Sequence, residues 1–185
     1  MKTTIDILVS LDQNYIPQLR VMLTSLYLNN PETRCGIYLL HRGIPQTMLD
    51  GLQRGLEPLG YSLHPICVDD TQFAGAPVSG RYPQEMYYRL LAAQLLPDDL
   101  ERILYLDPDI LVINSLKPLW DMDLGSCLFA AAAHTGKTEL ANNVNRLRLR
   151  TEQNYYNSGV LLMDLAGCRR DIVPADIFSY VEVHA

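Results

Sequence analysis

Tyr105-Leu106-Asp107-Pro108-Asp109-Ile110-Leu111-Val112 sets two carboxylates one residue apart inside an otherwise apolar run. Residues 103–106 and 110–113 on either side read as buried strand. An unpaired carboxylate is costly to bury, so a core segment keeps two only where something compensates them. Alternate residues of an extended chain point to one side, which lets Asp107 and Asp109 face a common cation. Pro108 has no amide hydrogen and cannot sit in a central ladder, so the strand is expected to stop or break there. Strand ends are where open α/β sheets receive their ligands. The expectation is a divalent metal at the mouth of a sheet, with donors that suit Mg²⁺, Mn²⁺ or Ca²⁺ better than zinc or copper. Asp-Pro-Asp is also ordinary turn chemistry; the apolar flanks favour the ligand site.

Outward from this segment, strands alternate with helices. Residues 5–10 read as a buried strand running into the polar Leu11-Asp12-Gln13-Asn14-Tyr15. Pro17 suits the first turn of a helix, and Ile16, Leu19, Met22, Leu23 and Leu26 recur near helical spacing up to Asn30-Pro31. Residues 36–40 give a second strand, 46–56 a second helix opened by Pro45, and 61–68 a strand alternating with period two. Residues 69–83, rich in Gly, Ala and Pro, read as a loop packed near a site or closing over it. Residues 85–96 read as a short helix, with Pro97-Asp98-Asp99 turning into the strand before Asp107. Farther on, 129–133 is a strand and 134–150 a polar connection, while 155–159 is a turn into a strand over 160–165. Residues 172–184 begin an amphipathic helix with no cap, so the natural sequence is expected to continue. The alternation predicts one α/β domain with a largely parallel sheet.

The 185 residues, 48% hydrophobic and 19% charged, suit a single globular domain. A net charge of −6 argues against nucleic acid as a partner. Cys35, Cys67, Cys127 and Cys168 are scattered without a CxxC pair, which fits reduced thiols and a cytoplasmic location. No signal-peptide pattern opens the chain, and no apolar run approaches the roughly 18 residues that span a bilayer. Peripheral contact with the inner face of a membrane, through a region outside this chain, is compatible with that composition.

Asp12 and Asn14 lie between the first strand and first helix, the crevice that takes a nucleotide in open α/β sheets; they also suit a helix cap. No GxGxxG occurs, so a dinucleotide site is not expected. Arg89 either is solvated or neutralises phosphate with its planar fork. Asn157 offers an amide to sugar hydroxyls and Gly159 permits close approach, although Asn-Ser-Gly is also a common turn. His41, His64, His134 and His184 share no ligand spacing.

Five segments in order, Asp12-Gln13-Asn14-Tyr15, Tyr87-Tyr88-Arg89-Leu90, Tyr105-Leu106-Asp107-Pro108-Asp109, Leu116-Lys117-Pro118-Leu119-Trp120 and Tyr156-Asn157-Ser158-Gly159-Val160, resemble glycosyltransferase family 8. That family includes bacterial lipopolysaccharide galactosyl- and glucosyltransferases and glycogenin, and the resemblance covers nearly the whole chain. It implies a Rossmann-like GT-A fold and retaining transfer of a hexose from a UDP-sugar to a saccharide, glycolipid or lipopolysaccharide-type acceptor. It implies that Asp107 and Asp109 are the DxD pair holding Mn²⁺ (or Mg²⁺) against the donor diphosphate. By the same resemblance Asp12 and Asn14 lie near the uridine with Ser10, Leu11 and Tyr15 beside them. Arg89 and Pro108 bind the donor, and Asn157 with Ser158 faces its sugar. A divalent ion bridging two phosphates stabilises the departing UDP, so no acidic side chain need protonate it, in contrast with glycosidases.

Family members continue to an Asp-containing segment beside the reacting sugar and then to a metal-binding histidine. Neither is present, and His184 precedes the expected position. The catalytic and acceptor-binding residues are therefore expected beyond Ala185, and weak or absent transfer is expected from this chain alone. Two alternatives stand beside the transferase: a non-catalytic binder of nucleotide sugars, and a Mg²⁺-dependent phosphatase of the haloacid dehalogenase type. The phosphatase pattern asks for Thr or Val where Leu111 stands.

Overall fold

The structure, a computed structural model, describes residues 4–69, 84–133 and 154–184, with residues 140, 143, 144, 146, 147 and 152 between the last two stretches. The loop expected at 69–83 falls outside the described residues but for Asp69, as does most of the connection expected at 134–150.

Six strands, β1 (Thr4–Ser10), β2 (Arg34–His41), β3 (Tyr61–Cys67), β4 (Arg102–Leu106), β5 (Phe129–Ala133) and β6 (Tyr156–Asp164), form one sheet in the order β3-β2-β1-β4-β6-β5. The first four of that order are mutually parallel, and β6 runs antiparallel to both β4 and β5. β1 lies between two parallel neighbours with Ile5, Ile7, Leu8 and Val9 fully buried, the near-continuous apolar run of a strand covered on both faces. β3 is an edge strand, which is why it tolerates Pro65.

Two helices, α1 (Ile16–Asn29) and α2 (Gln46–Leu56), cover one face. Leu19, Met22, Leu23 and Leu26 of α1 and Leu49, Leu52 and Leu56 of α2 recur at three- and four-residue steps and pack with Ile7, Val9, Ile37 and Leu39. Leu8 and Leu40, one residue out of phase, face the other side with Tyr88, Leu91, Tyr105 and Leu165. The Arg169 guanidinium pins this second layer by donating to the carbonyls of Ala93 (2.9 Å), Pro97 (2.8 Å) and Leu100 (2.7 Å), in and after the short helical turn that leads toward β4.

Four expected elements come out differently. Residues 110–113 are not a strand: Leu111 and Ile113 are exposed, while Val112 is buried and Ile110 packs half-buried against the core. Side chains at the end of α1 replace a strand partner there. Val112 N donates to Ser25 Oγ (2.9 Å), Asn29 Nδ2 donates to Val112 O (2.9 Å), and Leu116 N donates to Asn30 Oδ1 (2.8 Å). The helix expected over 85–96 is two 3-10 turns, Gln84–Met86 and Tyr88–Leu91, followed by one α-turn, Ala92–Leu95. The buried residues of the two 3-10 turns, Glu85, Tyr88 and Leu91, are three apart, and a three-residue repeat stacks them on one face. The turn expected at 155–159 is instead the start of β6. The last expected helix begins at Pro174, and a separate helix, Leu165–Asp171, precedes it; Asp164 caps that helix by accepting from Gly167 N at 3.0 Å.

Asn30 is 4% exposed, and its amide also donates to the carbonyls of Leu26 and Asn114. Asn30→Ala leaves buried backbone groups unpaired and is expected to lower unfolding stability by about 1–3 kcal/mol in urea titration, while Asn29→Ala costs less. Equal stability of Asn30→Ala and wild type would show that this side-chain ladder does not hold residues 112–116.

Candidate functional site

The C-terminal ends of the parallel strands β1 and β4 open onto a cleft of about 200 Å³. Ser10, Leu11, Asp12 and Tyr15 line it from beyond β1, and Asp107, Pro108 and Asp109 from beyond β4. Arg89, Met86 and Glu85 form a third wall from the 3-10 turns, and Tyr105 lies between the walls. Eight residues named from the sequence thus meet in one cleft. Asp12 and Glu85 also line a neighbouring cleft of about 330 Å³ with Asn14, Arg42, Gly43 and Ile44.

Asp107 is the most constrained of these residues. Its backbone N–H donates to the Gly159 carbonyl at 2.8 Å, so pairing with β6 runs one residue past the end of β4. Pro108 cannot continue the ladder, and Asp109 beyond it is exposed. The Tyr105 hydroxyl donates to Asp107 Oδ1 at 2.6 Å, and Arg89 Nη1 lies 3.1 Å from the same oxygen. Arg89 also stacks over the Tyr105 ring, its Cζ 4.3 Å from the ring centre. Burial pushes the Tyr105 phenol well above its ordinary range, Arg89 pulls it down and Asp107 pushes it up again. The phenol therefore stays protonated and keeps its role as donor to Asp107.

Arg89 is not a solvated surface residue. Its side chain is 10% exposed, with Nε donating to Met86 O (3.0 Å) and Nη1 to Ser158 O (2.8 Å). Asn157 and Ser158 themselves do not line the cleft: Ser158 reaches it through the carbonyl that holds Arg89, and Asn157 Oδ1 accepts from Gly159 N at 2.7 Å. The β5–β6 register slips here, Ala131 pairing Leu161 and Ala132 pairing Asn157, which leaves residues 158–160 as a bulge beside the cleft. Gly159 is required for space: a Cβ would stand 2.5 Å from Asp107 Oδ2.

Asp12 acts as the cap foreseen as its alternative, Oδ1 accepting from Asn14 N (2.8 Å) and Oδ2 from Asn14 Nδ2 (2.9 Å), while also lining both clefts. Asn14 faces only the second cleft. Sequence reasoning missed Tyr105, Met86 and Glu85. Tyr105 had a signal, being two residues before Asp107 and so on the same side of the strand. His41 supports the second cleft: its buried Nδ1 accepts from Gly43 N (3.2 Å) and Ile44 N (3.1 Å). Gly43 has φ 141°, a conformation glycine adopts at little cost.

The sequence profile described as Glycosyl transferase family 8 matches residues 6–184. General stress protein A of Bacillus subtilis is 26% identical over 175 residues, covering 94% of this chain and 60% of that protein. Lipopolysaccharide 1,2-glucosyltransferase of Escherichia coli is 29% identical over 170 residues, covering 87% of this chain and 48% of its own length. Among solved structures, the galactosyltransferase LgtC in complex with donor and acceptor sugar analogues superposes with a TM-score of 0.85 at 30% identity, covering 97% of this chain and 65% of that one. The chain thus spans less than two thirds of each of these relatives.

Burial lowers the pKa of His41 from its ordinary 6.5, so the folded protein takes up this proton less readily than the unfolded chain does. The stability contributed by the neutral ring is complete above the unfolded value and is lost as pH falls toward the lower folded one. Urea midpoints measured at about pH 7.5 and about pH 5.5 are expected to fall in the wild type and to fall less in His41→Gln. An identical pH response in the two proteins would remove His41 from this account.

Proposed function

Because this chain belongs to glycosyl transferase family 8 and carries the GT-A fold, we propose that the whole protein is a metal-dependent, retaining hexosyltransferase. Its donor is a UDP-sugar and its acceptor a saccharide or lipopolysaccharide-type glycan. The observation that carries this reading is the Asp107–Asp109 pair at the end of β4, sharing one cleft with Ser10, Leu11, Asp12 and Tyr15 and with Arg89. The family match over residues 6–184 sets the phosphatase alternative aside.

The residues suit a hard divalent ion, Mn²⁺ or Mg²⁺. Both carboxyl groups line the cleft and supply oxygen donors, and Asp109 is exposed to it. Among the described residues no third His, Cys, Asp or Glu joins them in a cluster that could hold an ion. Two carboxylates completed by substrate phosphates and water is a common arrangement for such ions. When bound, the ion supplies Lewis-acid stabilisation of the charge on the departing nucleoside diphosphate.

The remaining work falls to this chain's own side chains. Arg89, held by two carbonyls and by Asp107, presents a fixed positive charge to phosphate oxygens without having to reorganise. Tyr105 fixes the Asp107 carboxyl through a bond that ordinary pH does not remove. Asp12 and Asn14, with Ser10 and Leu11, bound the nucleoside end, and the half-exposed Tyr15 ring offers it a flat apolar surface. Asn157, whose Oδ1 lies with the Asp107 carboxylate beside Gly159, is assigned with Ser158 to the donor sugar. Catalytic and acceptor-binding groups are assigned to sequence outside this chain, whose own part is the donor-binding domain. Binding without turnover is the reading that suits a chain spanning 60% or less of its curated relatives. A cytoplasmic location at the inner face of a membrane belongs to the same proposal; no helix among the described residues is long and apolar enough to cross a membrane.

Calorimetric titration with UDP tests the reading. Binding is expected to require Mn²⁺ or Mg²⁺ and to weaken at least about tenfold, near 1.4 kcal/mol, in Asp109→Ala. UDP binding indifferent to metal, or no UDP binding at all, would overturn the donor-site assignment.

A further inference from the structure

Glu85 is 3% exposed, yet Oε1 of its carboxyl has no hydrogen-bond partner among the described residues. Among the described residues the nearest cation is Arg42, whose Nε forms an ion pair with that oxygen at 3.6 Å, beyond hydrogen-bond range. A buried acceptor left without a donor is costly, and where one persists in a cleft wall it marks a place for a donor brought by a ligand.

Its position narrows what that ligand group is. Glu85 and Asp12 are the residues shared by the two clefts, so they stand at the saddle between them. On one side lie Asp107, Asp109 and Arg89, assigned above to the diphosphate; on the other lies Asn14. A nucleoside diphosphate reaching from the first cleft into the second passes over the saddle with its nucleoside. Each Asp12 oxygen already accepts one hydrogen bond from Asn14, whereas the Glu85 oxygen at the saddle accepts none among the described residues. A carboxylate only accepts hydrogen bonds. In 5′-substituted uridine the available donors are the base imide N3–H, the 2′-hydroxyl and the 3′-hydroxyl.

We propose that Glu85 is a specificity-determining residue of the donor site, accepting a hydrogen bond from one of these three nucleoside donors. The inference rests on the nucleotide-sugar reading above and adds to it a residue that the sequence had not singled out. It also gives a physical basis for nucleotide choice, because a carboxylate rejects an analogue that presents a lone pair or nothing at that point.

The test is a binding cycle in the presence of Mn²⁺, with wild type and Glu85→Gln titrated against UDP, CDP, 2′-deoxy-UDP and 3′-deoxy-UDP. CDP replaces the imide N–H with an acceptor, and each deoxy analogue lacks one hydroxyl. Glu85→Gln is expected to weaken UDP binding about tenfold, the loss of a charge-assisted hydrogen bond. One analogue is expected to bind wild type about as weakly as the variant binds UDP, and to be insensitive to the substitution, which identifies the donor. Unchanged UDP affinity in Glu85→Gln overturns the inference, as does an equal loss for all four nucleotides, the signature of a structural role. If Glu85→Gln does not unfold cooperatively, Glu85→Asp takes its place: loss of the preference for UDP over one analogue supports the proposal, and a preference identical to that of the wild type overturns it. Wild type that fails to bind UDP sinks the donor-site reading and this inference with it; wild-type binding with an indifferent variant sinks only the role of Glu85.

Discussion

Asp107 sits at the last residue of β4's ladder that β6 can still hold, and the site is organised around that limit. Its amide is fixed on the Gly159 carbonyl, while one carboxylate oxygen receives both the Tyr105 hydroxyl and the Arg89 guanidinium. The next residue is proline, so backbone pairing stops and Asp109 is released to the cleft. One carboxylate is thereby fixed and the other left exposed, within a two-residue step that only a strand end allows. Gly159 is part of the same constraint, since any larger residue would meet the Asp107 carboxylate at 2.5 Å.

The rest of the fold serves to hold that strand end in place. Parallel β1 delivers Ser10 to Asp12 to the same rim, and the α1 helix that follows returns along the sheet to catch the chain after Asp109 with Ser25, Asn29 and Asn30. Segments more than eighty residues apart in sequence are joined there by side-chain bonds to backbone rather than by a ladder. From the opposite layer Arg89 reaches across to Ser158 and Asp107, coupling the 3-10 turns to β6. Local order at the cleft therefore depends on polar contacts between elements whose apolar cores lie on different faces of the sheet.

What was legible in the sequence was what local periodicity encodes. The α2 helix over Gln46–Leu56, α1 and the first three strands follow from apolar spacing and from prolines at helix starts. The meeting of Asp107 and Asp109 with Ser10, Leu11, Asp12 and Tyr15 followed from their place at strand ends. Residues 110–113 have the composition of a strand but no neighbouring strand, and partners supplied by α1 side chains leave no trace in local pattern. Local pattern leaves Arg89 open between a solvated residue and a phosphate partner because a helical wheel assumes 3.6 residues per turn, whereas a three-residue repeat turns Glu85, Tyr88 and Leu91 together. Asn157 and Ser158 read as a turn because Asn-Ser-Gly is turn-like, but the register slip in β6 accommodates them inside a strand. Glu85 gave no signal at all, since a carboxylate beside a loop is ordinary until its burial is known.

In the proposed donor site the fixed Asp107 and the released Asp109 jointly hold a divalent ion against a nucleotide diphosphate. Diffraction from crystals grown with UDP and Mn²⁺, recorded for manganese anomalous scattering, addresses it most directly. A single strong anomalous peak within about 2–2.6 Å of oxygens from both carboxylates and from the diphosphate is the predicted result. Manganese bound elsewhere, or a diphosphate in the cleft with neither carboxylate touching the metal, would contradict it.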